Sequence, residues 1–228
     1  MGIAGIATVI VWPSEKSSKD LPPVKGGLKE FMLSFRPPVK GARDFWLAFV
    51  GRTLLIFSYD MILNYQLYIL EMYIGQGKKA AAATISVMSV ITMIVGLVGS
   101  LASGAISDKI GRRKVPVIVA SFLLALGYFL PWVMKSPSSM MLFAGFAGLG
   151  YAVYGAVDQA LNVDVLPSKK EAGKDLGIIN MATTLGQTAG PIVTSALVAA
   201  AGYQLVFPVA IAFAIIACVF IQMIRCTK

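Results

Sequence analysis

The chain of 228 residues has no histidine, two cysteines and little charge, with Asp, Glu, Lys and Arg together at 14%. Without an imidazole, and with only Cys218 and Cys226, it lacks the donor set of a zinc site, histidine-based acid/base chemistry and the disulfide framework of a small secreted domain. No metal, no cofactor and no enzymatic activity are expected, because no nucleophile, base and orienting group converge at a readable spacing. The scarcity of charge excludes still more. At 57% hydrophobic residues and a mean hydropathy of +0.76, the chain is too apolar for a surface wetted on all sides. An integral membrane protein is the reading that remains. Its formal charge of +9 must first be placed relative to a bilayer, and no nucleic-acid partner is expected from it.

What is present is a series of long apolar runs. They cover residues 45–74, 82–107, 115–134, 139–161, 176–200 and 204–224, each long enough for the roughly 20 residues that a membrane span requires. The pattern predicts an all-α membrane protein of six transmembrane helices. Residues 1–12 are also apolar but reach only about 18 Å as a helix, and they lack the basic start and small-residue cleavage site of a signal peptide. The myristoylation pattern fails at Ile6. Residues 13–44 hold Lys16, Lys19, Lys25, Lys29, Arg36, Lys40 and Arg43, interrupted by Pro22-Pro23 and Pro37-Pro38, and read as an exposed loop.

Charge then sets the orientation. The stretch 13–44, the loops at 108–114 and 167–175 and the C-terminal tail alternate onto one side, which holds sixteen of the twenty lysines and arginines. Lys78, Lys79 and Lys135 fall on the other side, and Arg52 inside a span. The positive-inside rule places the basic loop and the C-terminus in the cytoplasm of a multi-pass cell-membrane protein, with anionic lipid headgroups as neighbours.

Between the second and third runs stands Gly104-Ala105-Ile106-Ser107-Asp108-Lys109-Ile110-Gly111-Arg112-Arg113-Lys114. Gly104 permits close helix approach, Asp108 suits a helix N-terminus, Gly111 allows the turn, and Arg112 and Arg113 hold the basic side. This stretch resembles the signature loop of the major facilitator superfamily. A second stretch strengthens the likeness: Gly148-Leu149-Gly150-Tyr151, Asp158-Gln159-Ala160-Leu161, Asp164-Val165-Leu166-Pro167, Gly177-Ile178-Ile179-Asn180 and Gly186-Gln187-Thr188-Ala189-Gly190-Pro191 are similar to the tenth and eleventh helices of bacterial facilitators. The resemblance implies the C-terminal six-helix half of a twelve-helix transporter. Residues 1–12 would match the end of the sixth helix, 13–44 the cytoplasmic central loop and 45–228 the second bundle. It also implies a partner, either a missing N-terminal half or a second copy of this chain, since alternating access rocks one bundle against another.

Polar groups within the runs are functional candidates, because each is costly in a bilayer. Arg52, Tyr59, Gln66 and Tyr73 recur every seven residues and form one stripe of a continuous helix, with Asp60 and Asn64 beside it. Tyr151, Tyr154 and Asp158 share a face of the fourth run. The resemblance makes these two helices the cavity walls. Substrate contacts are therefore expected from Tyr59, Asn64, Gln66, Tyr151 and Tyr154. Coupling or gating is expected from Arg52, Asp60, Asp158, Gly104, Asp108, Gly111, Arg112 and Arg113. Arg52 also has the option of snorkelling to the cytoplasmic interface, and Asp158 that of pairing with Lys169 or Lys170. Gly96, Ser100 and Gly104, and Gly186 with Gly190, read as close-packing faces.

The expected activity is secondary transport of a small polar solute, a sugar or another small organic molecule, with a proton or sodium ion as coupling partner. The alternatives are a drug-exporting facilitator and a truncated, inactive remnant or membrane scaffold.

Overall fold

The computed structural model describes residues 37–39, 41–110, 114–167 and 172–225, the side chains of 104–110 and 114 excepted. The expected helix end at 1–12 and nearly all of the loop at 13–44 lie outside them. Six long helices occur among the described residues, and no strand: α1 (Arg43–Leu63), α2 (Lys78–Ile110), α3 (Lys114–Val133), α4 (Pro137–Asp164), α5 (Ala172–Ala201) and α6 (Val206–Gln222). All but α5 combine the length and apolarity needed to cross a membrane. At 30 residues α5 is also long enough. Asn180, Thr183, Gln187 and Thr188 make it more polar than the other five, so five helices meet both conditions where six apolar runs were expected.

The ends follow from local chemistry. Ser136 caps α4, its side chain accepting a hydrogen bond from the Ser139 amide at 3.2 Å, and Pro137 starts the helix where its missing N–H costs nothing. Ser136→Ala is expected to lower stability by about 1 kcal/mol, read as a shift in the thermal melt of helical circular dichroism; an unshifted melt would deny the cap that role. Gly202 stops α5 at φ 77°, a conformation open to glycine. At the basic end, the Arg225 amide donates to the Asp44 carboxylate at 3.0 Å and ties the end of α6 to the start of α1.

One expectation about α1 fails. The first run was read as one helix to residue 74, but α1 breaks at Asn64-Tyr65, and a short helical turn (Gln66–Tyr68) leads into a π-helical turn (Ile69–Tyr73). There the Ile74 amide reaches back to the Ile69 carbonyl, one residue further than in an α-helix. The extra residue per turn shifts the face on which later side chains emerge.

The helices pack as two groups of three. α1 lies against α5 and α6, α4 lies against α2 and α3, and α3 against α6 joins the groups, while α1 and α4 approach each other only lightly. Within a bilayer the hydrophobic effect does not press helices together, so close packing must do so. A Cβ on Gly127 would stand 2.7 Å from the Ala147 backbone nitrogen, and one on Gly150 would stand 2.7 Å from the Ala120 carbonyl. Gly186 and Gly190 serve the same purpose against the α1 backbone. On α2 the expected close-packing position is displaced: Gly96 faces open space, and Gly99 meets Leu149 of α4. α1 is the most enclosed helix, whereas α2 leaves Val90, Met93, Ile94, Leu97 and Leu101 exposed.

Candidate functional site

Because α1 and α4 barely touch through their backbones, the space between them is bridged by side chains. Arg52, in the first half of α1, meets Asp158 of α4, Nη1 to Oδ2 at 2.5 Å, with both side chains almost fully buried. Arg52 Nε donates to Thr183 Oγ1 at 2.9 Å and Nη2 donates to Asn180 Oδ1 at 3.3 Å, so α5 joins the same cluster. Asp158 also accepts from the Tyr154 hydroxyl at 2.5 Å and from Asn162 Nδ2 at 3.0 Å. The pair is stabilised by these added hydrogen bonds, without which two buried charges would not recover their lost hydration.

This settles one of the two alternatives: Arg52 is buried against Asp158 and does not snorkel. The other, a pairing of Asp158 with Lys169 or Lys170, falls on residues outside the described ones. Tyr154, expected beside Tyr151 in a solute pocket, is committed to Asp158 and buried. Asn180 stood in the family-like stretch, but neither it nor Thr183 was assigned a part in the site, because neutral polar residues on a helix rich in them do not announce a partner.

Further along the same seam, the Tyr59 ring of α1 stacks on the Tyr151 ring of α4, with centroids 4.3 Å apart and planes at 12°. The Phe143 ring also lies nearly parallel to that of Tyr59, with centroids 6.3 Å apart and planes at 22°. Asp60, one residue on, turns toward α5, where its Cβ adjoins Gly190. Its Oδ1 accepts from Asn64 Nδ2 at 3.0 Å, the same nitrogen donating to the Asp60 carbonyl at 3.1 Å. No lysine or arginine among the described residues pairs with Asp60.

Beside the tyrosine stack lies a cavity of about 340 Å³ between α1, α2 and α4, to which Tyr59, Gln66, Met88, Thr92, Met93 and Phe143 contribute. Tyr59 and Gln66 were expected there; Met88, Thr92, Met93 and Phe143 were not. A larger groove of about 580 Å³ between α2 and α4 is walled by Ile91, Val95, Met141, Leu142 and Phe146 and has almost no polar surface to orient a polar solute. Tyr73 leaves the stripe: at the end of the π-helical turn its hydroxyl donates to the Trp132 carbonyl at 3.2 Å and its ring meets Phe207. Gln187 and Thr188 are exposed. Gly104 and Asp108 belong to the last turns of α2, their side-chain surroundings outside the description, as are Gly111, Arg112 and Arg113 altogether.

The model of the Major Facilitator Superfamily matches residues 45–225. A probable 4-methylmuconolactone transporter of Cupriavidus pinatubonensis (strain JMP 134 / LMG 1197) is 25% identical over 183 residues, covering 80% of this chain and 41% of that protein. Among solved structures, the human organic anion transporter MFSD10 (TETRAN) superposes with a TM-score of 0.62 at 19% identity, over 82% of this chain and 48% of that one. A variant of the peptide transporter POT in complex with sulfate superposes at 0.70 and 16% identity, over 86% and 41%. At these identities the structural likeness is one of fold. The chain spans less than half the length of each of these relatives.

Proposed function

The chain belongs to the major facilitator superfamily, and from that premise we propose that it supplies the second six-helix bundle of a secondary transporter for a small organic solute. One observation carries the reading: the buried side-chain seam between α1 and α4, with an ion pair at one level and a cavity at another. Substrate would enter at the cavity, contacted by Tyr59, Gln66 and Tyr151. The Arg52–Asp158 pair, with Asn180 and Thr183 from α5, would act as the gate, holding the two helix triads together on the basic side, which faces the cytoplasm. Opening and closing the seam requires breaking that pair and remaking it, a two-state element of the kind alternating access needs. Asp108 at the end of α2, with Gly111, Arg112 and Arg113 after it, would set the cytoplasmic face against the other bundle.

Asp60 is proposed as the coupling carboxylate, taking up and releasing a proton during the cycle. Its support is its position in the interior of a span with an amide donor and no cation among the described residues. Asp60→Asn is expected to abolish the pH dependence of uptake while leaving the bundle folded. Unchanged uptake with an unchanged response to pH would remove Asp60 from the mechanism.

The transport reading is tested by expressing the chain alone and together with the first-half bundle of the 4-methylmuconolactone relative, offering labelled 4-methylmuconolactone, benzamide and glucose. Uptake only on co-expression supports a two-part transporter. Uptake by the chain alone supports two copies completing one site. No uptake in either case, with both polypeptides in the membrane, favours the non-transporting remnant or scaffold.

A further inference from the structure

The cavity beside Tyr59 has a chemical character that narrows its occupant, an argument that rests on the transporter reading above. Its walls are the Tyr59 and Phe143 rings, the thioethers of Met88 and Met93, and three neutral polar groups: Gln66, Ser89 and Thr92. No charged side chain lines it. The Ser89 hydroxyl is spent on the Ile85 carbonyl at 2.9 Å. The Tyr59 hydroxyl, the Gln66 amide and the Thr92 hydroxyl have no hydrogen-bond partner among the described residues, although Tyr59 is 95% buried. Tyr59 is buried and Gln66 and Thr92 are half-buried on the same wall, so three polar groups that no protein group occupies converge on one cavity, where a ligand can meet them. Ser89 and Met93 are exposed, which puts the mouth of the cavity at the edge of α2. Gly148 of α4 keeps Thr92 in place, since a Cβ there would come within 3.3 Å of its methyl group.

We propose that this cavity takes an uncharged, planar ring bearing one or two oxygen or nitrogen atoms on its edge. Flat walls of aromatic carbon and sulfur favour a flat π surface. A formal charge placed there would lose its hydration with no counter-charge in return. A hexose would bring about five hydroxyls to three free partners, leaving the rest desolvated and unpaired. The sugar expected from the tyrosine and glutamine content is therefore disfavoured by the methionines and Phe143, which the polar pattern of the sequence did not show.

The test is equilibrium binding to the purified full chain in detergent, with benzamide, cyclohexanecarboxamide, benzoate at neutral pH and glucose as probes. Benzamide is expected to bind about fivefold tighter than its saturated analogue, and benzoate and glucose not measurably. Thr92→Val and Gln66→Leu should each weaken benzamide by about tenfold with helical circular dichroism retained. As a check in a chain that keeps its hydrogen-bonding side chains elsewhere, modification of Thr92→Cys by N-ethylmaleimide, mapped by mass spectrometry, should be slowed by benzamide. Benzoate or glucose binding as tightly as benzamide, no benzamide binding, or an unprotected cysteine overturns the proposal. Benzamide bound but nothing transported would overturn the transport reading and leave this one standing; glucose bound and transported would do the reverse.

Discussion

Arg52→Ala is expected to cost the bundle about 3–5 kcal/mol, because it leaves Asp158 buried on α4 without its cation. The four remaining polar residues of the cluster cannot supply that charge: Tyr154 and Asn162 only donate hydrogen bonds to the carboxylate, and Asn180 and Thr183 lose their own partner. The double variant Arg52→Met with Asp158→Leu should regain part of the loss, since it removes the uncompensated charge while Tyr154, Asn162, Asn180 and Thr183 still lose their partners. Uptake, where it is measurable, should stay lost in both, as an apolar contact offers no charge pair to break and remake. The comparison is made by thermal melts in detergent. A double variant as unstable as the single one would mean that the pair's value lies in shape and not in charge balance, and the gate would lose its basis.

Gly186→Leu is the second large effect. A side chain there would start 2.8 Å from the Thr53 carbonyl and 3.0 Å from the Phe57 amide nitrogen, both backbone atoms of α1. Backbone cannot step aside as a flexible side chain does, so α5 must move off α1, at a cost of about 1–3 kcal/mol or more. The displacement would also pull Thr183 and Asn180 away from Arg52, so packing and ion-pair chemistry fail together. Gly155→Ala is the control on α4, where nothing lies within 4 Å of the added carbon. It should be stabilising by up to about 1 kcal/mol, since alanine is the better helix former. Equal losses at both positions would show that glycine acts there through the helix backbone alone, not through the α1–α5 approach.

How much of this was legible beforehand varies by feature, for physical reasons. The helices were read nearly to their ends, because a bilayer leaves every backbone donor and acceptor to be satisfied within its own segment and so forces long apolar runs. The break after Leu63 was not read, since Ile69–Tyr73 contains neither proline nor glycine and looks like any apolar helix. That break moved Tyr73 out of a stripe whose spacing was correct for an unbroken helix. The polarity of α5 was visible, but its purpose was not until Asn180 and Thr183 were found against Arg52.

The sequence by itself determined the membrane class, the family and the identity of the costly groups: Arg52, Asp60 and Asp158 stood out because charge in a span is rare and expensive. Only the tertiary structure decided their pairing. Arg52 and Asp158 lie on helices separated by two others in the chain, and no local spacing rule relates them; the meeting of α1 and α4 across a light backbone contact does. The same holds for the cavity. Met88, Met93 and Phe143 are unremarked members of apolar runs until three helices bring them around Tyr59, since in a chain this apolar hydrophobicity marks which residues are in the membrane and packing alone decides which of them line a site.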